Sequence, residues 1–184
     1  MGQIRQTLAI FTMMAFVAGV LQLGLINQQY VFAEIVTGTD GDDDLEGTNN
    51  DDQIEGRGGD DSIDSGDGGD FNVGDNFFGD GAGGDDKIKS GDGADQNFGD
   101  NFFGDGAGGD DKIKSGDGND VNFGDNVVDS GDGGDDKIKS GDGNDDNIGG
   151  TGADKFNCGK GTDTVIGFNA DEGDKANKNC ENVS

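Results

Sequence analysis

The chain contains no histidine and only two cysteines, Cys158 and Cys180. Without His, a hydrolase built on a Ser–His pair or on an HExxH zinc site is excluded, and two thiolates alone fall short of the four ligands of a structural zinc. Basic residues are scarce too: 12 Lys and Arg stand against 40 Asp and Glu, a formal net charge of −28. Such a chain repels phosphate, so nucleic acid is excluded as a partner and cations are favoured. Glutamate is the next shortage. Asp supplies 35 of the acids and Glu only 5, a bias that a solvated helix would not show, because Glu forms helix better; short carboxylates beside Gly suit tight loops. Beyond residue 33, Thr occurs only at Thr37, Thr39, Thr48, Thr151, Thr162 and Thr164, too scattered for an ice-binding ladder.

The first 33 residues carry no acid at all. Arg5 precedes an almost wholly apolar stretch from Leu8 to Ile26, and Val31-Phe32-Ala33 offers small residues at the two positions a signal peptidase reads. We read 1–33 as a signal peptide cleaved after Ala33; the alternative is an uncleaved membrane anchor, since the apolar core approaches a spanning length. On either reading the acidic remainder, with 11 basic and 40 acidic residues and so a balance of −29, lies outside the cytosol, and a secreted, extracellular protein is expected. An even pair of cysteines in an exported chain most simply forms one disulfide, here Cys158–Cys180, the alternative being two free thiols. Closed, a loop of about 22 residues would contribute about 3 kcal/mol on the chain-entropy account.

What the chain does have is repetition. From Gly38 it divides into nines, GTDGDDDLE, GTNNDDQIE and GRGGDDSID, each with Asp at the sixth place (Asp43, Asp52, Asp61) and an aliphatic at the eighth (Leu45, Ile54, Ile63). A period of 25 then takes over, seen in GAGGDDKIKSGDGADQNF (81–98), GAGGDDKIKSGDGNDVNF (106–123) and GDGGDDKIKSGDGNDDNI (131–148). Each long unit is nine plus nine plus a seven-residue piece such as GDNFFGD. Two carboxylates about 5 Å apart at an effective dielectric near 20 repel by roughly 3 kcal/mol, so the clustering calls for a positive charge that the sequence does not supply.

This pattern resembles the GGxGxDxUx nonapeptides of the RTX, or haemolysin-type calcium-binding, family, where U is a large aliphatic, and the resemblance covers Gly38 to Ile166. It implies an all-β fold, a right-handed parallel β-roll in which six residues of each unit turn and three form a strand. It also implies several Ca²⁺ ions between turns stacked on the same edge, bound by loop carbonyls and by the sixth-place Asp. Carried over place by place, those ligands are Asp43, Asp52, Asp61, Asp70, Asp86, Asp95, Asp111, Asp120, Asp136, Asp145, Asp154 and Asp163, with the third-place Asp40, Asp67, Asp92, Asp117 and Asp142 as helpers. The fifth-place Asp42, Asp51, Asp60, Asp85, Asp110 and Asp135 read as solvated charge. Residue chemistry agrees: Gly lets carbonyls crowd one point, and a pliable all-oxygen shell suits calcium better than magnesium. One buried aliphatic per nine residues returns far less than the entropy of ordering them, so the chain is expected to be disordered without calcium and to fold on binding it.

Several features depart from that pattern. The second nine of each long unit carries Asn at the eighth place (Asn72, Asn97, Asn122, Asn147) and its large residue at the ninth (Val73, Phe98, Phe123, Ile148). Two readings are open: an inward, stacked Asn ladder, or a one-residue slip that leaves the four in solvent. The seven-residue pieces read as insertions at one corner, whose Phe77, Phe78, Phe102 and Phe103 supply extra core, or a partner patch if exposed. The lysines of the KIK triplets (87, 89, 112, 114, 137, 139) must face outward by strand alternation. We expect a roll over 34–157 and a capping segment over 158–184 closed by the disulfide, with a last strand at Thr164-Val165-Ile166. No apolar pocket that would tune paired carboxylates is foreseeable, so the expected function is non-catalytic calcium binding. Its rivals are a calcium-dependent adhesin with an unidentified cell-surface or matrix partner, and an acidic disordered polyanion that buffers ions or guides mineral growth.

Overall fold

A unit of six turn-forming residues and three of strand character has room for one short strand before the chain reverses, and that is how the repeats fold. The computed structural model describes residues 33–79, 82–104, 106–126 and 133–184; the expected signal peptide lies outside the described residues except for Ala33. Fifteen strands follow one another in these residues with no helix. They are β1 (Ile35–Thr37), β2 (Asp44–Glu46), β3 (Gln53–Glu55), β4 (Ser62–Asp64), β5 (Phe71–Val73), β6 (Lys87–Asp92), β7 (Gln96–Phe98) and β8 (Lys112–Asp117). The series continues with β9 (Val121–Phe123), β10 (Lys137–Asp142), β11 (Asp146–Ile148), β12 (Lys155–Lys160), β13 (Thr164–Ile166), β14 (Lys175–Ala176) and β15 (Asn182–Val183). Odd-numbered strands build an eight-stranded sheet and even-numbered strands a seven-stranded one, each in chain order. All pairing between neighbouring strands is parallel. The expected all-β parallel β-roll is thus the observed architecture.

Register follows the repeat. Across the even sheet Leu45, Ile63, Ile88, Ile113, Ile138, Phe156 and Ala176 form one inward row. With Ile54, Val165 and the disulfide they make a continuous core. The flanking lysines are exposed, as alternation requires. Turns can stack this tightly only where side chains are missing: Gly91, Gly116 and Gly141 have φ of 100°, 121° and 120°. A Cβ on any of them would strike the carbonyl oxygen of the glycine one turn earlier, Gly66, Gly91 and Gly116 respectively.

The odd sheet decides between the two Asn readings. Asn72 pairs in register with Ile54, and Asn147 with Val165, so the four Asn occupy the inward places of aliphatics and are fully buried. Each amide donates to the next: Asn72 Nδ2 to Asn97 Oδ1, Asn97 to Asn122 and Asn122 to Asn147, all at 3.0 Å. The hydroxyls of Ser90, Ser115 and Ser140 donate to the same Oδ1 atoms at 2.7 Å. With two donors at each of the Asn97, Asn122 and Asn147 carbonyls the buried ladder avoids the cost of unpaired amides, save at its first member, where Asn72 Oδ1 has no partner.

Turning Asn inward points Phe71, Val73, Phe98 and Phe123 outward, and the insertions cover Phe71 and Phe98. Phe102 packs 4.6 Å from Phe98 and 5.6 Å from Phe71, ring centre to ring centre, and Phe77 lies 5.7 Å from Phe71. Phe71, Phe77, Phe98 and Phe102 are buried, which makes the insertions a second apolar layer on the outer face of the odd sheet. Phe78 stacks on Phe103 at 5.5 Å and is 49% exposed.

The C-terminal segment continues the roll. The boundary expected at residue 157 falls inside β12, β13 is the expected last strand, and β14 and β15 add one further rung to each sheet. Cys158 and Cys180 form the disulfide, joining β12 to the loop before β15.

Candidate metal-binding edges

Each turn ends on the sixth-place Asp, and stacking the turns stacks these residues into two columns. Asp43, Asp61, Asp86, Asp111, Asp136 and Asp154 precede the even strands; Asp52, Asp70, Asp95, Asp120, Asp145 and Asp163 precede the odd ones. All twelve expected ligands therefore lie on the two edges of the roll. Within a column the backbone N–H of each Asp donates to Oδ1 of the Asp one turn later, at 2.7 to 3.0 Å. Three acids outside the repeat pattern extend the columns: Asp174 Oδ1 accepts from Asp154, Glu181 Oε2 from Asp163, and Glu34 N–H donates to Asp52.

The second oxygen divides the set. In Asp61, Asp70, Asp86, Asp95, Asp111, Asp120, Asp136, Asp145, Asp154 and Asp163, Oδ2 is buried and has no hydrogen-bond partner. In Asp43 and Asp52 it accepts instead from the backbone N–H and hydroxyl of Thr39 and of Thr48. Ten orphaned carboxylate oxygens are a large uncompensated cost in a fold of this size. Their direction is visible at the glycines that open the turns of the even edge. A Cβ on Gly56 would strike Asp61 Oδ2 and the Gly74 carbonyl, one on Gly74 would strike Asp86 Oδ2 and the Gly99 carbonyl, and one on Gly99 would strike Asp111 Oδ2 and the Gly124 carbonyl. Carboxylate and carbonyl oxygens thus meet where no side chain stands.

Among the described residues no three acidic or cysteine side chains converge on one point as a ready ligand group. A cation held on these edges would accordingly take much of its shell from backbone carbonyls. Paired carboxylate and carbonyl oxygens form the donor set of a hard cation such as calcium, and the orphaned oxygens fit it.

Electrostatics point the same way. Burial is the main cause of the raised pKa values in the two columns from Asp61 and Asp70 onward, with neighbouring carboxylates adding to it and the N–H bond to Oδ1 opposing it. It brings Asp136 to about 9, Asp86 to about 8, Asp95 and Asp145 to about 7, and Asp61 and Asp70 to about 6. Asp111, beside Asp100, Asp136 and Asp86, is pushed well above the carboxylate range. Asp43 moves the other way, held down by the backbone N–H and hydroxyl of Thr39.

The helper residues sit differently. Asp40, Asp67, Asp92 and Asp117 are exposed and Asp142 is half-buried. Asp92, Asp117 and Asp142 stack in register at the ends of β6, β8 and β10; Asp142 pairs with Lys160, and Asp67 accepts from Asn49. The structure does not bring these five into the set of orphaned oxygens. The fifth-place acids are exposed as expected, yet they also cap backbone: Asp60 N–H donates to Asp42 Oδ1, Asp85 to Asp60, Asp110 to Asp85 and Asp135 to Asp110.

Sequence reasoning missed a third acidic column. Asp75, Asp100 and Asp125 in the insertions are buried beside the even-edge column. Burial first, then Asp86 and Asp100, brings Asp75 to about 9; burial and Asp125 bring Asp100 to about 7. The signal was present, since every insertion opens Gly-Asp-Asn at the same phase of the 25-residue period. Compared with known proteins, the chain matches no family model, no curated protein and no solved structure.

Proposed function

We propose that this is an extracellular, non-catalytic calcium-binding protein of RTX-like repeats whose roll folds as it takes up calcium between stacked turns. The observation that carries the reading is the division of labour within each column: one carboxylate oxygen closes the backbone of the neighbouring turn, and the other is buried without a donor. A protein donor at each place would have served a purely structural Asp, as Thr39 and Thr48 do at the first two turns. Calcium between turns would satisfy the oxygens and offset the repulsion among them, so that metal affinity becomes folding energy. An affinity of about 10⁻⁴ to 10⁻³ M is expected of an extracellular module.

Far-ultraviolet circular dichroism of the chain lacking residues 1–33, in EDTA and then in millimolar calcium, tests this. A disordered spectrum that turns to β-sheet with calcium supports it. Identical spectra overturn calcium-linked folding, and a disordered spectrum in both with weak calorimetric binding assigns the chain to the acidic polyanions. A second reading, a calcium-dependent adhesive or matrix component, is favoured by the exposed Phe78 stacked on Phe103. Loss of calcium-dependent surface attachment in a Phe78→Ala variant would support that contact role.

A further inference from the structure

The insertions carry an acid that loop closure uses only in part. Asp75, Asp100 and Asp125 follow the first glycine of their turns, a place held by Arg57 and Gly150 where there is no insertion. Nine residues on, the N–H groups of Gly84, Gly109 and Gly134 donate to them at 3.0 to 3.3 Å, closing each loop. The other side of Asp100 is unaccounted for. Its Oδ2 is fully buried and has no hydrogen-bond partner. A Cβ on Gly108 would strike this atom and, at 2.7 Å, Asp125 Oδ1; a Cβ on Gly83 would strike Asp100 Oδ1 and, at 2.5 Å, Asp75 Oδ2. Each gap between successive acids is therefore lined by oxygens of both and faced by a glycine with no side chain.

We infer that the insertions add a second row of calcium positions to the even edge, one between Asp75 and Asp100 and one between Asp100 and Asp125. This rests on the calcium reading above and extends it to residues outside the nonapeptides. Buried carboxylates that face each other, with backbone N–H donors that leave Asp100 Oδ2 unpaired and cancel none of the charge, need either a shared proton or a cation. A proton cancels one charge and serves two oxygens, whereas a divalent cation cancels two and accepts several. The adjoining Asp86 and Asp111, each with an orphaned oxygen of its own, tip the edge toward the cation. On this account Asp75, Asp100 and Asp125 stack in register because they share ions, with Phe77 and Phe102 on the apolar side of the first two insertions.

Calcium bound per chain, counted by native mass spectrometry and by equilibrium dialysis of the chain lacking residues 1–33, tests the inference. Asp100→Asn, which borders both gaps, is expected to bind two fewer ions, and Asp75→Asn one fewer. Asp85→Asn, at an exposed fifth-place acid, is expected to keep the full count. An unchanged count in Asp100→Asn overturns the inserted row, and so does an equal loss in Asp85→Asn, which would mean that net charge alone was sensed. Should Asp100→Asn fail to show a β-sheet spectrum in calcium, Asp75→Asn decides alone, by losing one ion or none. If the unaltered chain takes up no calcium, the proposed function itself fails; if it does so and the variants match it, only this inference falls.

Discussion

The first nonapeptides of the roll, residues 38–64, and the long-period turns after them solve the same packing problem with different chemistry. In the first region each turn has eighteen residues, aliphatics face inward from both sheets (Leu45, Ile54, Ile63), and the free oxygens of Asp43 and Asp52 are met by Thr39 and Thr48. In the second each turn has seven more residues. The inward row of one sheet becomes Asn, and the apolar mass moves outside as the phenylalanine layer of the insertions. A roll this thin holds one row of aliphatics per sheet. Moving one row outward leaves an interior that a hydrogen-bonded ladder can fill without loss, and it adds area that the inner core has no room for.

The sharpest way to break the comparison is at the acids. Asp111→Asn should raise the calcium concentration needed for folding about tenfold, the scale on which ligand charge tunes calcium loops. Asp43→Asn, whose Thr39 contacts need no metal, should leave it nearly unchanged; equal shifts in a circular dichroism titration would erase the distinction. The acids also set a pH response for the metal-free chain. Because the buried carboxyls have raised pKa values in the fold, the folded state binds more protons than the unfolded one, and its stability rises as pH falls. With EDTA present, β-sheet signal should therefore grow as pH drops from about 9, the value for Asp75 and Asp136, toward the ordinary carboxylate range. A signal that instead weakens on acidification would contradict the burial of these groups.

Smaller effects separate the two apolar layers. Phe102→Ala, which opens the outer layer, should cost about 3 to 5 kcal/mol in urea unfolding at saturating calcium. Asn122→Ala strands Asn97 Nδ2 and the Ser115 hydroxyl, takes one of two donors from Asn147 Oδ1, and should cost about 3 kcal/mol at the usual 1 to 3 kcal/mol per buried group. If Asn122→Leu were as stable as the native chain, the ladder would be a mere substitute for the aliphatics of the first turns. Least of all, Lys89→Ala removes an exposed pair with Asp64 and should change stability by about 0.5 kcal/mol or less.

Much of this was legible in advance because repetition multiplies weak signals. The nine-residue phase placed β2 to β13 near an eighth-place or ninth-place apolar residue, and stacking equal phases put the twelve sixth-place acids on two edges. The inward Asn ladder was not decidable from the chain. A strand has a period of two, so a slip of one residue exchanges its faces, and the phenylalanines that reward the observed register come from another loop. The surroundings of the third-place acids were hidden for a similar reason: Asp142 finds Lys160, eighteen residues away, on the neighbouring strand. Asp75, Asp100 and Asp125 lie outside the nine-residue phase that marks the other acids, so only the fold shows that they are buried.

The linear order of residues determined the architecture by itself: turn, strand and rise are local properties, and nine residues that repeat them have little choice but to wind. Tertiary structure alone decided which oxygen of each acid is used and which is orphaned, where the phenylalanines lie, and that a third acidic column is buried. Those outcomes depend on partners 18 or 25 residues distant, which meet only once the turns are stacked.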